Sequence, residues 1–289
     1  MELQKLSLDK KTVVGYREWG PKNGTPLVFF HGFPGSSIQG VMFADICHEL
    51  NFHVLAVDRL GYGSTLSAQG FDTYKLFVEK MELDKFYVFG VSGGAPSAVR
   101  LSEMFAERVL GLGIICGLIP LRNHEDKFPS GHRWALRTLS TLPSPLLTGF
   151  MSVLDQPRLR NILLDRLMLT LPDVDKRLFS RGDLLELMRI SIENSREQGV
   201  LGIVNDIRDY ASDWVGAERR YKGPVWVWHG DQDTILPVQM AQAWKVLYPE
   251  SQFKVIQGQG HYSLPINFMP EELLQLFRAQ KSPDQGRSL

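Results

Sequence analysis

Apolar residues follow two rhythms along this chain. The first is the short continuous run, at 26–30, 52–57, 86–89, 109–116 and 224–228, with a final strand pattern at 252–256. Runs of this length, each ending in a glycine-rich or polar cluster, predict strands buried on both faces of a parallel sheet. The second rhythm is helical: Phe71, Tyr74, Phe77, Val78 and Met81 recur on one side of a helix. Residues 36–50, the stretch after Gly94, 238–247 and 270–279 also read as helices, and 2–19 as two short strands. Strand and helix alternate as far as Pro120, which predicts an α/β fold: a mostly parallel sheet with helices on both faces.

Between Pro120 and Trp214 the alternation stops. Helical patterns run over 134–142, 146–154, 159–171 and from Leu184 past Ile190, with prolines at 143, 145, 157 and 172 between them. The strand rhythm then resumes. The expected organisation is a core formed by 1–118 and 218–289, interrupted by a helical cap over 119–217. The polar tail 281–289 is expected to fray.

Composition narrows the partners. The 289 residues are 44% hydrophobic and 22% charged, with 32 basic and 32 acidic side chains. That balance gives no reason to expect nucleic acid or an anionic membrane as partner. Cys47 and Cys116 stand far apart, outside any metal-ligand spacing, and Cys116 lies within an apolar run as a small core residue. No metal and no cofactor is expected. The first residues, Met1-Glu2-Leu3-Gln4-Lys5, lack the apolar centre of a signal peptide, and no segment is long enough to span a bilayer. A cytoplasmic protein is the expectation.

The chemistry gathers where predicted strands end. Gly90-Val91-Ser92-Gly93-Gly94 joins the run at 86–89 to a helical stretch. Glycines two before and two after a serine let strand and helix close around it. The turn would push the hydroxyl outward and place the Gly93 amide at a helix N-terminus, where it can donate to a developing oxyanion. These five residues alone also fit a glycine-rich turn with a capping serine. A serine nucleophile requires an imidazole to take its proton and a carboxylate to orient that imidazole. Later strands end in Asp231-Gln232-Asp233 and in Gly258-Gln259-Gly260-His261, so the chain supplies Ser, Asp and His in that order.

With these stretches, His31-Gly32-Phe33-Pro34-Gly35 and Asp58-Arg59-Leu60-Gly61-Tyr62-Gly63, the sequence resembles the α/β-hydrolase superfamily over nearly its whole length. Within it the chain is similar to cap-bearing esterases, perhydrolases and aminopeptidase-like enzymes. The elbow lacks the tryptophan typical of proline iminopeptidases, and Phe33 stands where they carry a second glycine. The family often has proline where Leu60 stands. The resemblance implies Ser92 as nucleophile, His261 as general base, Asp233 as acid, and backbone amides of Phe33 and Gly93 as the oxyanion hole. Asp231, next to Gly230, is expected to stabilise its turn. A serine rather than an aspartate at the elbow argues against dehalogenases and epoxide hydrolases of this fold.

Other residues carry plainer expectations. His31 braces its loop, Asp58 ties down its own, and His48, His53, His124 and His132 face solvent. Trp134, Phe150, Met151 and Trp214 either line a substrate pocket or simply pack the insertion. Two functions fit: a serine hydrolase acting on a small or medium acyl ester, or a ligand sensor on the same scaffold with slow or no turnover. The partner in either case is a small molecule. Oligomeric state is open.

Overall fold

The apolar runs are continuous because both faces of the sheet are covered. In the strand Thr25–Phe30, Leu27 and Phe29 join one buried cluster while Val28 and Phe30 join the other. Val54 and Ala56 separate from Leu55 and Val57 in the same way. Side chains of a strand alternate between faces, so a strand with two dry faces reads as a near-continuous apolar run.

The computed structural model describes residues 2–215 and 219–281. The tail at 282–289 and the expected boundary at 217/218 lie outside the described residues. The strands are β1 (Gln4–Ser7), β2 (Val13–Trp19), β3 (Thr25–Phe30), β4 (Phe52–Val57), β5 (Phe86–Val91), β6 (Val109–Ile115), β7 (Val225–Gly230) and β8 (Gln252–Ile256). They form one sheet in the order β1-β2-β4-β3-β5-β6-β7-β8. β2 is antiparallel to β1 and β4, and the other pairings are parallel.

Before β6 come α1 (Cys47–Leu50), α2 (Asp72–Lys80) and α3 (Ala95–Met104). Much of the stretch before α1 is a 3-10 helix, Ser37–Phe43. Between β6 and β7 the chain makes α4 (Ser130–Ser140), α5 (Ser144–Leu154), α6 (Pro157–Thr170), α7 (Asp173–Phe179), α8 (Gly182–Asn194) and α9 (Leu201–Ala211). Prolines 143, 157 and 172 sit at the starts of α5, α6 and α7, where the missing amide hydrogen costs nothing. Leu147, Val200, Val204 and Ile207 form a separate small core there. After β7 the expected single helix is two, α10 (Val238–Ala241) and α11 (Ala243–Leu247), which meet at Gln242. α12 (Met269–Lys281) follows β8.

The parallel register brings the chemistry together. Phe30 is level with both Val57 and Gly90, Val91 with Ile115, and Ile115 with Trp228. The loops carrying His31, Asp58, Ser92, Asp233 and His261 therefore leave the sheet at one edge, where ligands of open α/β sheets bind.

Candidate active site

Ser92 occupies the turn between β5 and α3 with a φ of 52°. A side chain in this left-handed region costs on the order of 1–3 kcal/mol, and such strain persists only where the surroundings enforce it. Gly90 and Gly94 do so. A Cβ on Gly90 would lie 2.7 Å from the Gly94 carbonyl oxygen, and one on Gly94 would collide with the Phe30 carbonyl. Only glycine lets β3, β5 and the elbow approach this closely.

Opposite the elbow, His261 Nε2 lies 2.9 Å from Ser92 Oγ, and its Nδ1 lies 2.7 Å from Asp233 Oδ2. An ionised carboxylate only accepts, so Nδ1 carries the hydrogen and Nε2 presents its lone pair to the serine hydroxyl. Asp233 is buried, and its second oxygen accepts the amides of Ile235 (2.9 Å) and Leu236 (2.8 Å). His229 Nε2 donates to the Leu236 carbonyl at 2.6 Å and lies 3.3 Å from Asp233 Oδ2. Burial pushes the Asp233 carboxyl up, but the charge of His261 and hydrogen bonds from His229 and His261 hold it well below the usual carboxylate range. For His261 burial works downward, and the attraction of Asp233, helped by Asp175, outweighs it and raises the imidazole.

Asp231 takes a different partner: its Oδ1 accepts the Gly258 amide at 2.7 Å, joining the loops after β7 and β8. Phe33 and Gly93 stand side by side next to Ser92, since a Cβ on Gly93 would be 2.9 Å from that of Phe33. The Gly32 amide is already satisfied by Gln39 Oε1 at 2.8 Å. His31 Nδ1 donates to the Gly32 carbonyl (2.8 Å) and its Nε2 accepts the Arg59 amide (3.0 Å), so it braces this loop as a neutral ring. Asp58 accepts the amides of Ser37 (2.6 Å) and Ser64 (3.1 Å). Cys116, His229 and Asp233 bring three buried potential metal donors within 4.8 Å of one another. The Asp233 oxygens among them are committed to His261 and to two amides, and burial, then Asp233, push the Cys116 thiol well up.

Ser92 and His261 open onto a cavity of about 470 Å³ walled by Phe33, Leu136, Leu164, Phe179, Leu187 and Ile235, among others. Among the described residues its wall includes no Asp, Glu, Lys or Arg. None of the four pocket candidates lies on it. Trp134 is 70% exposed and Phe150 46% exposed. Met151 packs into the small core around Leu147, and Trp214 is buried against Trp244 at 6.0 Å between ring centroids. Aromatic size and helical spacing marked these residues as apolar without giving the direction each faces. One histidine also departs from expectation: His53 is buried beside Glu18, 3.6 Å away. His132 is exposed as expected, at the rim of the cavity.

Sequence reasoning missed the polar groups that the inserted helices contribute. Arg59 forms a buried pair with Asp206 of α9, with Nη1 to Oδ1 at 2.5 Å and Nη2 to Oδ2 at 2.7 Å. Its Nε also donates to the His31 carbonyl at 2.9 Å. Tyr62 Oη donates to Asp206 at 2.7 Å, while Tyr210 Oη lies 2.9 Å from Asp206 and 3.1 Å from the Gly93 carbonyl. Arg59 stood in a recognisable stretch, but nothing local marked Asp206 as its partner.

Sheet order, elbow and strand-end loops define a hydrolase of the α/β class. The α/β-hydrolase fold family model matches residues 25–268, and the chain belongs to that family. Among curated proteins it is similar to a non-heme chloroperoxidase of Burkholderia pyrrocinia, 25% identical over 87% of this chain and 90% of that one. Among solved structures it resembles the epoxide hydrolase CorEH, with a TM-score of 0.73 and 21% identity over 96% of this chain and 100% of that one. It also resembles a thermophilic esterase from Thermogutta terrifontis, with a TM-score of 0.65 and 18% identity over 97% and 98% of the two chains.

Proposed function

We propose that this protein is a serine hydrolase that cleaves a small or medium carboxylic ester with an uncharged, apolar acyl group. The observation that carries this reading is the line of hydrogen bonds from Asp233 through His261 to Ser92, opening into an apolar cavity. In this reading His261 Nε2 takes the Ser92 proton as Oγ attacks the ester carbonyl, and Asp233 stabilises the imidazolium. The amides of Phe33 and Gly93 receive the oxyanion, with Gly93 favoured by its place at the N-terminal end of the elbow helix. His261 then protonates the departing alcohol, and water releases the acyl group from Ser92 by the same route. Serine at the elbow separates this chemistry from that of family members carrying aspartate there.

The inserted helices serve as a cap, 119–217 over a core of 1–118 and 218–289, and their apolar side chains select the substrate and exclude water. No carboxylate on the described wall of the cavity could receive a substrate ammonium. A panel of p-nitrophenyl esters of increasing chain length, with lactones and a proline anilide alongside, tests the proposal. Multiple turnover of the esters, peaking at medium chain length, is expected, with the anilide left intact. Turnover of the anilide alone would overturn it.

A further inference from the structure

The His261 loop is gripped by a side chain that belongs to neither neighbouring strand. Asp175 lies in α7 of the inserted segment and has no exposed surface. Its carboxylate accepts three consecutive backbone amides of that loop: His261 to Oδ2 at 3.0 Å, Tyr262 to Oδ2 at 3.3 Å, and Ser263 to Oδ1 at 2.8 Å. A buried carboxylate is costly without such partners, and three charge-assisted hydrogen bonds offset the cost. Glycine at 260 is what admits it, because a Cβ there would collide with both carboxylate oxygens. Gly260 has no left-handed backbone that would otherwise require glycine.

We propose that Asp175 is a positioning residue: the inserted segment reaches into the core and fixes the backbone of the general base, so His261 is aligned only while that segment is seated. This rests on the hydrolase reading above. The carboxylate also adds negative charge beside the imidazolium that forms during the reaction. The other polar groups facing the ring are Asp233 at Nδ1, the Ser92 hydroxyl at Nε2 and the Tyr262 ring at 5.3 Å, with His229 and Cys116 behind Asp233. None of these replaces the three contacts that Asp175 makes to the backbone.

Asp175→Asn in the full chain separates positioning from mere packing, because its amide group would set a donor against N–H donors. Its kcat should fall on the order of 10²-fold, the effect of a small misplacement of a catalytic group. KM should hardly change, and the acidic limb of kcat/KM should move to lower pH as the extra negative charge is lost. Gly260→Ala pushes the carboxylate away without removing its charge. It should lower kcat while moving the acidic limb less than Asp175→Asn does, and the two substitutions together should cost less than the product of their separate effects. Should Asp175→Asn fail to fold, Gly260→Ala decides alone. Wild-type kcat in either folded variant, or a raised KM with kcat unchanged, would overturn the proposal. Fluorophosphonate labelling of the wild type keeps the two readings apart: labelling with unaffected variants rejects only the role of Asp175, whereas no labelling rejects the hydrolase itself.

Discussion

Asp231 and Asp233 are two residues apart and face different ways. Asp233 holds the His261 imidazole, while Asp231 holds the Gly258 amide. Asp233→Asn is expected to stay folded and lose about 10⁴ in kcat, because an amide can favour the wrong tautomer of the ring. Asp231→Asn should keep turnover and lose about 1 kcal/mol of stability, the worth of one hydrogen bond. Measuring kcat and urea midpoint for both variants checks the pair. A second expectation at this scale concerns pH. His261 accepts a proton only when neutral, and against the downward pull of burial Asp233 and Asp175 raise its pKa above the ordinary 6.5. The rate kcat/KM should therefore fall with decreasing pH through a midpoint above 6.5 and level off on the alkaline side of it. A midpoint at or below the ordinary value in a pH–rate profile would contradict the charge arrangement described here.

At the scale of elements, the insertion's share of the cavity wall comes from helices whose outer faces are also apolar. Phe179 at the end of α7 and Leu187 in α8 line the cavity, while Trp134 in α4 projects away from it. Shrinking Phe179 or Leu187 to alanine is expected to shift the preferred ester chain length upward. Trp134→Ala should leave that ranking unchanged. Chain-length profiles of kcat/KM for the three variants test this. The same contrast shows what the sequence could reveal. Runs such as 26–30 expose a buried strand because every position is apolar, and Gly90 and Gly94 expose the elbow because only glycine fits there. The insertion offers no comparable constraint: α7 is short, α9 carries a buried acid beside its apolar stripe, and α6 is apolar toward both the cavity and solvent. Asp175 and Asp206 are buried acids on such helices, and their partners lie 86 and 147 residues away in sequence. Hydrogen bonds across that distance leave no local pattern to read.

Over the whole molecule, the inserted segment meets three of the loops around the site through buried polar groups. Asp175 takes the His261 loop, and Ser191 Oγ accepts the Ser36 amide at 3.1 Å. Asp206 takes Arg59, which in turn holds the His31 carbonyl. A stable insertion and an ordered site are thus one structural problem. Asp206→Ala would leave the Arg59 guanidinium buried without its countercharge, and a loss of about 3–5 kcal/mol is expected in denaturant unfolding. A loss within the range of a surface substitution would show that the network is dispensable. Underneath all of this lies the assignment of Ser92 as nucleophile, and mass spectrometry after fluorophosphonate treatment tests it most directly. A single adduct, on Ser92, is expected, together with loss of labelling and a fall in kcat on the order of 10⁶ in Ser92→Ala. An adduct on another residue, or undiminished ester hydrolysis by Ser92→Ala, would contradict that assignment.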